Sequence, residues 1–236
     1  MHPTIQKINE LLQKVEDKVN ALVDKINGLL SKVPGWLEWA VDKFKTLWDK
    51  AIEKLGEFWD LIVKIVSNLG VPWELNNAKD DWEKVGSKTN TEVATANEGT
   101  LQTDDADKWS GTAKDAYVKA LADQKAALKG IKATFTDKIQ PALDSAATAI
   151  YIFWGALVVA IGVMIIGIVT ATGEAVSILG LPAVPPTVIV AVVVCIGAII
   201  TGTLVLRGAL STSATTFNTL KGESADYPNG WPASAI

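Results

Sequence analysis

Residues 148–171 read TAIYIFWGALVVAIGVMIIGIVTA, and residues 186–206 read PTVIVAVVVCIGAIITGTLVL. These two blocks decide the fold. They lie in two charge-free runs, Ser145–Gly173 (29 residues) and Ala175–Leu206 (32 residues), separated by Glu174 and closed by Arg207. Each block reaches the ~20 residues that a helix needs to cross a ~30 Å hydrocarbon core. The connection Thr172–Pro185 holds Gly173, Gly180, Pro182 and Pro185, which predict a turn. The run Val188–Val194 has the composition of a strand. The length of the block, and the need to pair every backbone group internally in lipid, predict helix instead. Residues 148–208 therefore read as an apolar, transmembrane-type helical hairpin whose partner is a lipid bilayer. The alternative is a pair of core helices in a soluble bundle, but a chain of this length has limited surface with which to cover two fully apolar helices.

Features at the edges of the hairpin set its expected orientation. Tyr151, Phe153 and Trp154 cluster at the start of the first block, as an aromatic belt at a membrane–water interface would. The connection holds no Lys or Arg, whereas Arg207 ends the second block and several lysines precede the first. If the chain is made in a bacterial inner membrane, the positive-inside rule puts both ends in the cytoplasm. A protein inserting from a secreted soluble form is not bound by that rule. Glu174 reads as a solvated loop residue rather than part of an ion pathway.

Outside the hairpin the composition changes sharply. Of 48 charged side chains, 43 precede Ser145 and five follow it. The net charge of −4 and a single arginine argue against a nucleic-acid partner, because phosphate contacts need a basic face. The chain holds one histidine (His2) and one cysteine (Cys195). A nucleophile–histidine pair would need its base at the second residue, expected to fray. No His/Cys cluster offers a metal site, and no disulfide can form within the chain. We therefore expect no enzyme, no cofactor and no small-molecule substrate. The first residues are charged at every turn and do not resemble a secretory signal.

The N-terminal segment, residues 1–70, carries a different pattern. Ile5, Ile8, Leu12, Val15, Val19, Leu22, Ile26, Leu29 and Val33 recur at alternating spacings of three and four, all apolar. This predicts a coiled-coil-like helix. Leu11, Val23 and Leu30 widen the stripe beyond a two-stranded seam, so the expected partners are a homo-oligomer or other helices of a bundle. Pro34-Gly35 breaks the helix. A second helix follows to Leu69, with Leu37, Val41, Phe44, Trp48, Ile52, Leu55, Trp59, Ile62, Val66 and Leu69 on its expected inner face. The short break allows an αα-hairpin. Trp36, Trp39, Trp48 and Trp59 fit either an interfacial helix on lipid or packing inside a bundle. The even mixture of acids and bases on the polar face favours the bundle, since membrane-surface helices are commonly basic.

Residues 71–147 predict two further helices around a turn. The third, Trp73 to Leu101, has a thin stripe of Ala78, Trp82, Val85, Thr89, Val93 and Ala96. The fourth starts behind Thr112 with Asp115 in capping-box position, and Pro141 is expected to kink or end it. Trp109-Ser110-Gly111, followed by Ala113, Tyr117, Leu121 and Leu128 and lying between two long helices, resembles the WXG100 proteins of type VII secretion. That family consists of small helical hairpins with Trp-x-Gly at the turn. Trp82-Glu83-Lys84-Val85-Gly86 is similar to the first-helix pattern of its larger relatives. The resemblance covers about 70 residues and implies a type VII secretion substrate. The family's Tyr-x-x-x-Asp/Glu secretion signal is not matched: Leu121, Gly155 and Trp231 stand four residues after the three tyrosines.

The remaining stretch, residues 209–236, is rich in Ser, Thr, Gly and Pro and reads as an irregular tail. The expected fold is all-α, in four consecutive blocks. Two functions follow: a membrane-inserting protein of type VII character, oligomeric and pore-forming or translocation-assisting, or a permanent two-helix inner-membrane scaffold with a cytoplasmic bundle.

Overall fold

A computed structural model of the chain describes residues 2–68, 70–95 and 109–223. It is all-α, with no strand among the described residues. The helices are α1 (Pro3–Leu30), α2 (Glu38–Val66), α3 (Pro72–Thr95), α4 (Thr112–Gly130), α5 (Asp137–Glu174) and α6 (Val184–Glu223). The chain forms two compact units. Residues 1–70 and 150–207 make the first, residues 71–149 and 208–236 the second. The four blocks of the sequence thus pair in space as first with third and second with fourth.

The first unit packs α1 and α2 onto the apolar parts of α5 and α6. His2 sets the start of α1: its Nδ1 accepts from the Thr4 amide at 3.2 Å, so the residue expected to fray is a helix cap. Its ring lies 5.5 Å from Tyr151 and 5.4 Å from Trp154. At the other end of α1, Lys25 Nζ donates to the Thr172 carbonyl at 2.7 Å. Helix α1 therefore runs parallel to α5 over about 30 Å. Helix α2 returns in the opposite direction. It packs on the 3-10 turn Ile178–Ala183, and behind its end a Cβ on Gly70 would meet Ile150 Cδ1 at 2.8 Å.

The stripe of α1 faces inward, with Ile8, Val15, Leu22 and Ile26 buried and Ile5, Leu12, Val19 and Leu29 half-buried. The seam expected to join oligomers is thus occupied within the chain. Helix α2 buries Ala40, Phe44, Ala51, Leu55, Phe58 and Ile62. That face is turned relative to the expected one: Ile52 and Val66 are exposed, and Phe58 rather than its neighbour Trp59 enters the core. Small Ala40 and Ala51 let the backbone approach its partners, which a count of large apolar residues overlooks. Between α5 and α6, a Cβ on Gly167 would collide with Ala191 Cβ, so glycine sets the close approach there.

In the second unit, Ile139, Leu143 and Leu220 form a core flanked by Leu75, Ala78, Trp82, Phe135 and Phe217. Ser213 Oγ donates to the Ala142 carbonyl at 3.0 Å in the buried interior. Val85, expected on the inner stripe of α3, is exposed, and Gly86 takes the inward place, where a Cβ would meet Thr136 Cγ2 at 2.6 Å. Helix α4 passes into a π-helical segment, Ile131–Thr136, and then into α5. Pro141 lies inside α5 and does not end it. The widened turn just upstream takes up the distortion that a proline imposes on the ladder. The cap of α4 is Gly111, with no side-chain hydrogen bond, in place of the expected box at Thr112 and Asp115. The stretch expected to be an irregular tail is helical from Gly208 through Glu223, because Leu220 and Phe217 have a core to join. Residues 224–236 lie outside the described residues, as do the Ala96–Leu101 end predicted for the third helix and the acidic run Thr103–Asp107.

Candidate membrane-facing surface of the apolar hairpin

Helices α5 and α6 contain two segments long and apolar enough to cross a membrane. Their inner positions follow helical spacing. In α5 they are Ile150, Phe153, Trp154, Leu157, Ile161, Met164, Ile168 and Ala171; in α6 they are Val184, Val188, Val192, Cys195 and Ile199. Trp154 has no exposed surface and Phe153 is buried, so these two are core residues rather than an interfacial belt. The reason is register: residues 150, 153, 154 and 157 share the inner face, where Ile150 meets Gly70, Trp154 meets His2 and Phe153 meets Gly202 of α6. Tyr151, half-buried, packs edge-on against Trp154. Arg207, the predicted edge of the hairpin, is exposed.

The outer face is also apolar. Ile152, Val159, Val163, Ile166 and Val169 on α5 are exposed, and so are Val190, Val193, Val194, Ile200, Leu204 and Val205 on α6. Only 44% of the most apolar window of the first span and 28% of that of the second are buried, so most of the hairpin surface has no protein cover. An apolar patch of this extent marks an interaction surface.

Polar groups in the hairpin bond inward. Thr170, Thr172, Thr201 and Thr203 each donate a hydroxyl to a carbonyl of their own helix four residues back. Such hydroxyls carry no unmet demand into an apolar medium. At the tip, Ser177 Oγ accepts from the Gly180 amide at 3.3 Å, and Thr187 Oγ1 donates to Glu174 Oε1 at 3.0 Å. Glu174, expected to be a solvated loop residue, is half-buried, and its Oε2 is enclosed without a hydrogen bond among the described residues. Its carboxylate is held there by Thr187, in the first turn of α6.

Facing this hairpin on its covered side, α1 and α2 carry nineteen Asp, Glu and Lys side chains, none of them buried. Short-range pairs such as Lys7–Glu10 and Lys54–Glu57 run along their outer surface.

In the second unit the structure brings together the Trp-x-Gly residues. Trp109 lies 5.3 Å from Tyr117, ring to ring. Gly111 has φ +95°, a conformation that favours glycine, and its carbonyl accepts from the Asp115 amide at 3.2 Å. The contact Trp109–Tyr117 spans eight residues, and its signal in sequence was the Trp-x-Gly spacing ahead of a helix. Among the described residues no group of three or more His, Cys, Asp or Glu could hold a metal ion.

No protein-family model, curated protein or solved structure matches the chain.

Proposed function

We propose that this chain is a membrane-inserting helical protein of type VII secretion character that forms or assists a pore, with α5 and α6 entering the bilayer. The observation that carries the reading is the opposition of two surfaces in the first unit. The outer face of the hairpin is apolar along its length, while the arm α1–α2 on the other side presents charge along the same length. A charged side chain at the centre of a bilayer costs about 2.5–3.5 kcal/mol on insertion scales. A hairpin that spans with nineteen such groups alongside it is therefore excluded by energy. The arm must leave α5 and α6 before they span, which frees its own stripe to pair with other copies.

The same opposition weighs against a permanent two-helix anchor. A hairpin inserted during synthesis would have no use for a charged cover of matching length. The type VII character rests on the Trp-x-Gly resemblance; Trp109 packs on Tyr117 and Gly111 has a positive φ, which a Trp-x-Gly turn accommodates. Purified protein is expected to float with lipid vesicles and to release an enclosed dye. Protein that neither floats nor releases dye at any pH contradicts the reading. Recovery from cells only in the detergent-soluble membrane fraction would favour the permanent scaffold.

A further inference from the structure

We infer that the end of the first unit where the α1–α2 turn meets the tip of the hairpin is the site that first lands on a lipid bilayer, with Trp36 and Trp39 as its interfacial anchors; this rests on the membrane reading above and adds its direction. Four large apolar side chains crowd that end with their surfaces open. Trp36 is 73% exposed, Trp39 59%, Val176 71% and Leu179 63%. The first two follow the Pro34-Gly35 break, and the other two lie in the hairpin tip. Two contacts hold the turn and the tip at one end. Lys25 Nζ bonds the Thr172 carbonyl, and the 3-10 turn Ile178–Ala183 packs against both α1 and α2.

The other tryptophans of the arm have packing reasons to be there. Trp48 stacks on Phe44 with ring centres 5.3 Å apart, and Trp59 meets Phe58 edge-on at 5.2 Å. Trp36 and Trp39 project into solvent, where two indoles are costly unless something covers them. Lipid fits this end better than a protein groove for three reasons. Indole rings partition to the headgroup level of a bilayer while aliphatic groups go deeper, and this end offers two of each. The polar side chains of the tip are engaged locally, Ser177 with the Gly180 amide and Thr187 with Glu174 Oε1, while Val176 and Leu179 face outward. The end is also continuous with the apolar outer face through Val169 and Val190. Nearby charges are balanced, Lys32 and Lys43 against Glu38 and Asp42, so the attraction does not depend on anionic lipid.

The test uses the full chain and two kinds of vesicle, one purely zwitterionic and one with added anionic phospholipid. All four residues are exposed, so substitution leaves the fold intact, which circular dichroism checks. Wild type is expected to bind both vesicles comparably. The double variants Trp36→Ser/Trp39→Ser and Val176→Ser/Leu179→Ser should each lose at least about tenfold in vesicle partition. Brominated lipid should quench wild-type fluorescence, much less in Trp36→Phe/Trp39→Phe, and unchanged in Trp82→Phe. If wild type binds and both double variants bind equally well, the landing site lies elsewhere and the inference fails while the membrane reading stands. If wild type binds neither vesicle, the membrane reading itself fails. If instead wild type self-associates without lipid and Trp36→Ser/Trp39→Ser abolishes this, a second copy covers the end and the lipid assignment is overturned.

Discussion

The arm α1–α2 and the apolar hairpin α5–α6 are matched in length and packed side by side, yet their outer surfaces could hardly differ more. Both are built from helices with one inward stripe. In the arm, the positions between the stripe residues are mostly polar, with nineteen Lys, Asp and Glu side chains among them, so its outer surface is largely wet. In the hairpin those positions are Val, Ile and Leu, exposed without charge. Burial of the stripe explains most of the arm, because the charged face needs only water; Trp36 and Trp39, beside the hairpin tip, are the exposed exceptions. It explains half of the hairpin. In the proposed membrane reading the unburied half meets lipid, and the arm, laid along the hairpin from His2 to Lys25, is what moves for that to happen.

The strongest way to break this comparison is to fasten the two together. With Cys195 replaced by Ala, cysteines at Lys25→Cys and Thr172→Cys bridged by a short reducible thiol cross-linker should abolish dye release from vesicles, and reduction should restore it. Leakage by the bridged protein would mean that the arm need not leave. Next in size are single charges placed on either face of the hairpin. Ile161→Asp puts an unpaired carboxylate where there is no exposed surface and should prevent stable folding. Ile166→Asp, on the outer face, should leave thermal stability in water unchanged and cut leakage at least about tenfold. Equal effects of the two on stability would remove the distinction between the faces.

Smaller effects separate the two units. Trp154→Ala should destabilise the first unit by about 3–5 kcal/mol, the range for loss of a large buried aromatic. Gly111→Ala forces a side chain into a left-handed conformation and should cost about 1 kcal/mol, read as a lowered denaturation midpoint and altered Trp109 fluorescence. The least effect is expected at Lys79–Asp144, an exposed pair at 3.0 Å. The hydrogen bond from Lys79 to Asp144, and then the attraction of that carboxylate, raise the lysine above its ordinary 10.5. Any contribution of the pair is thus complete below pH 10.5 and fades as the pH climbs past the raised value. Lys79→Met should move the unfolding midpoint barely, and only below that window.

Much of this was legible before any coordinates. The two apolar blocks are long, charge-free and bounded by Gly, Pro and Arg207, and both are helices. The heptad stripe of α1 pointed inward as its spacing required. What sequence could not give was the pairing of blocks, because adjacency along the chain says nothing of contacts between residues 147 apart, as Lys25 and Thr172 are. It also misjudged side chains that serve two roles. Trp154 carries an interfacial residue type at a core position, and Ala51 and Gly86 mark inner faces by their smallness rather than by hydropathy. Pro141 and the Ser/Thr-rich stretch after Arg207 carry breaker composition, but a π-helical turn and the core around Leu220 override it.

The central claim is that the arm separates from the hairpin in a bilayer. The distance between spin labels at Asp24→Cys and Gly173→Cys, both exposed positions at the same end of the first unit, tests it directly in the Cys195→Ala background. The account predicts a short distance in water and, with vesicles, a lengthening of more than about one helix diameter, ~10 Å. The same short distance in vesicle-bound protein would contradict it.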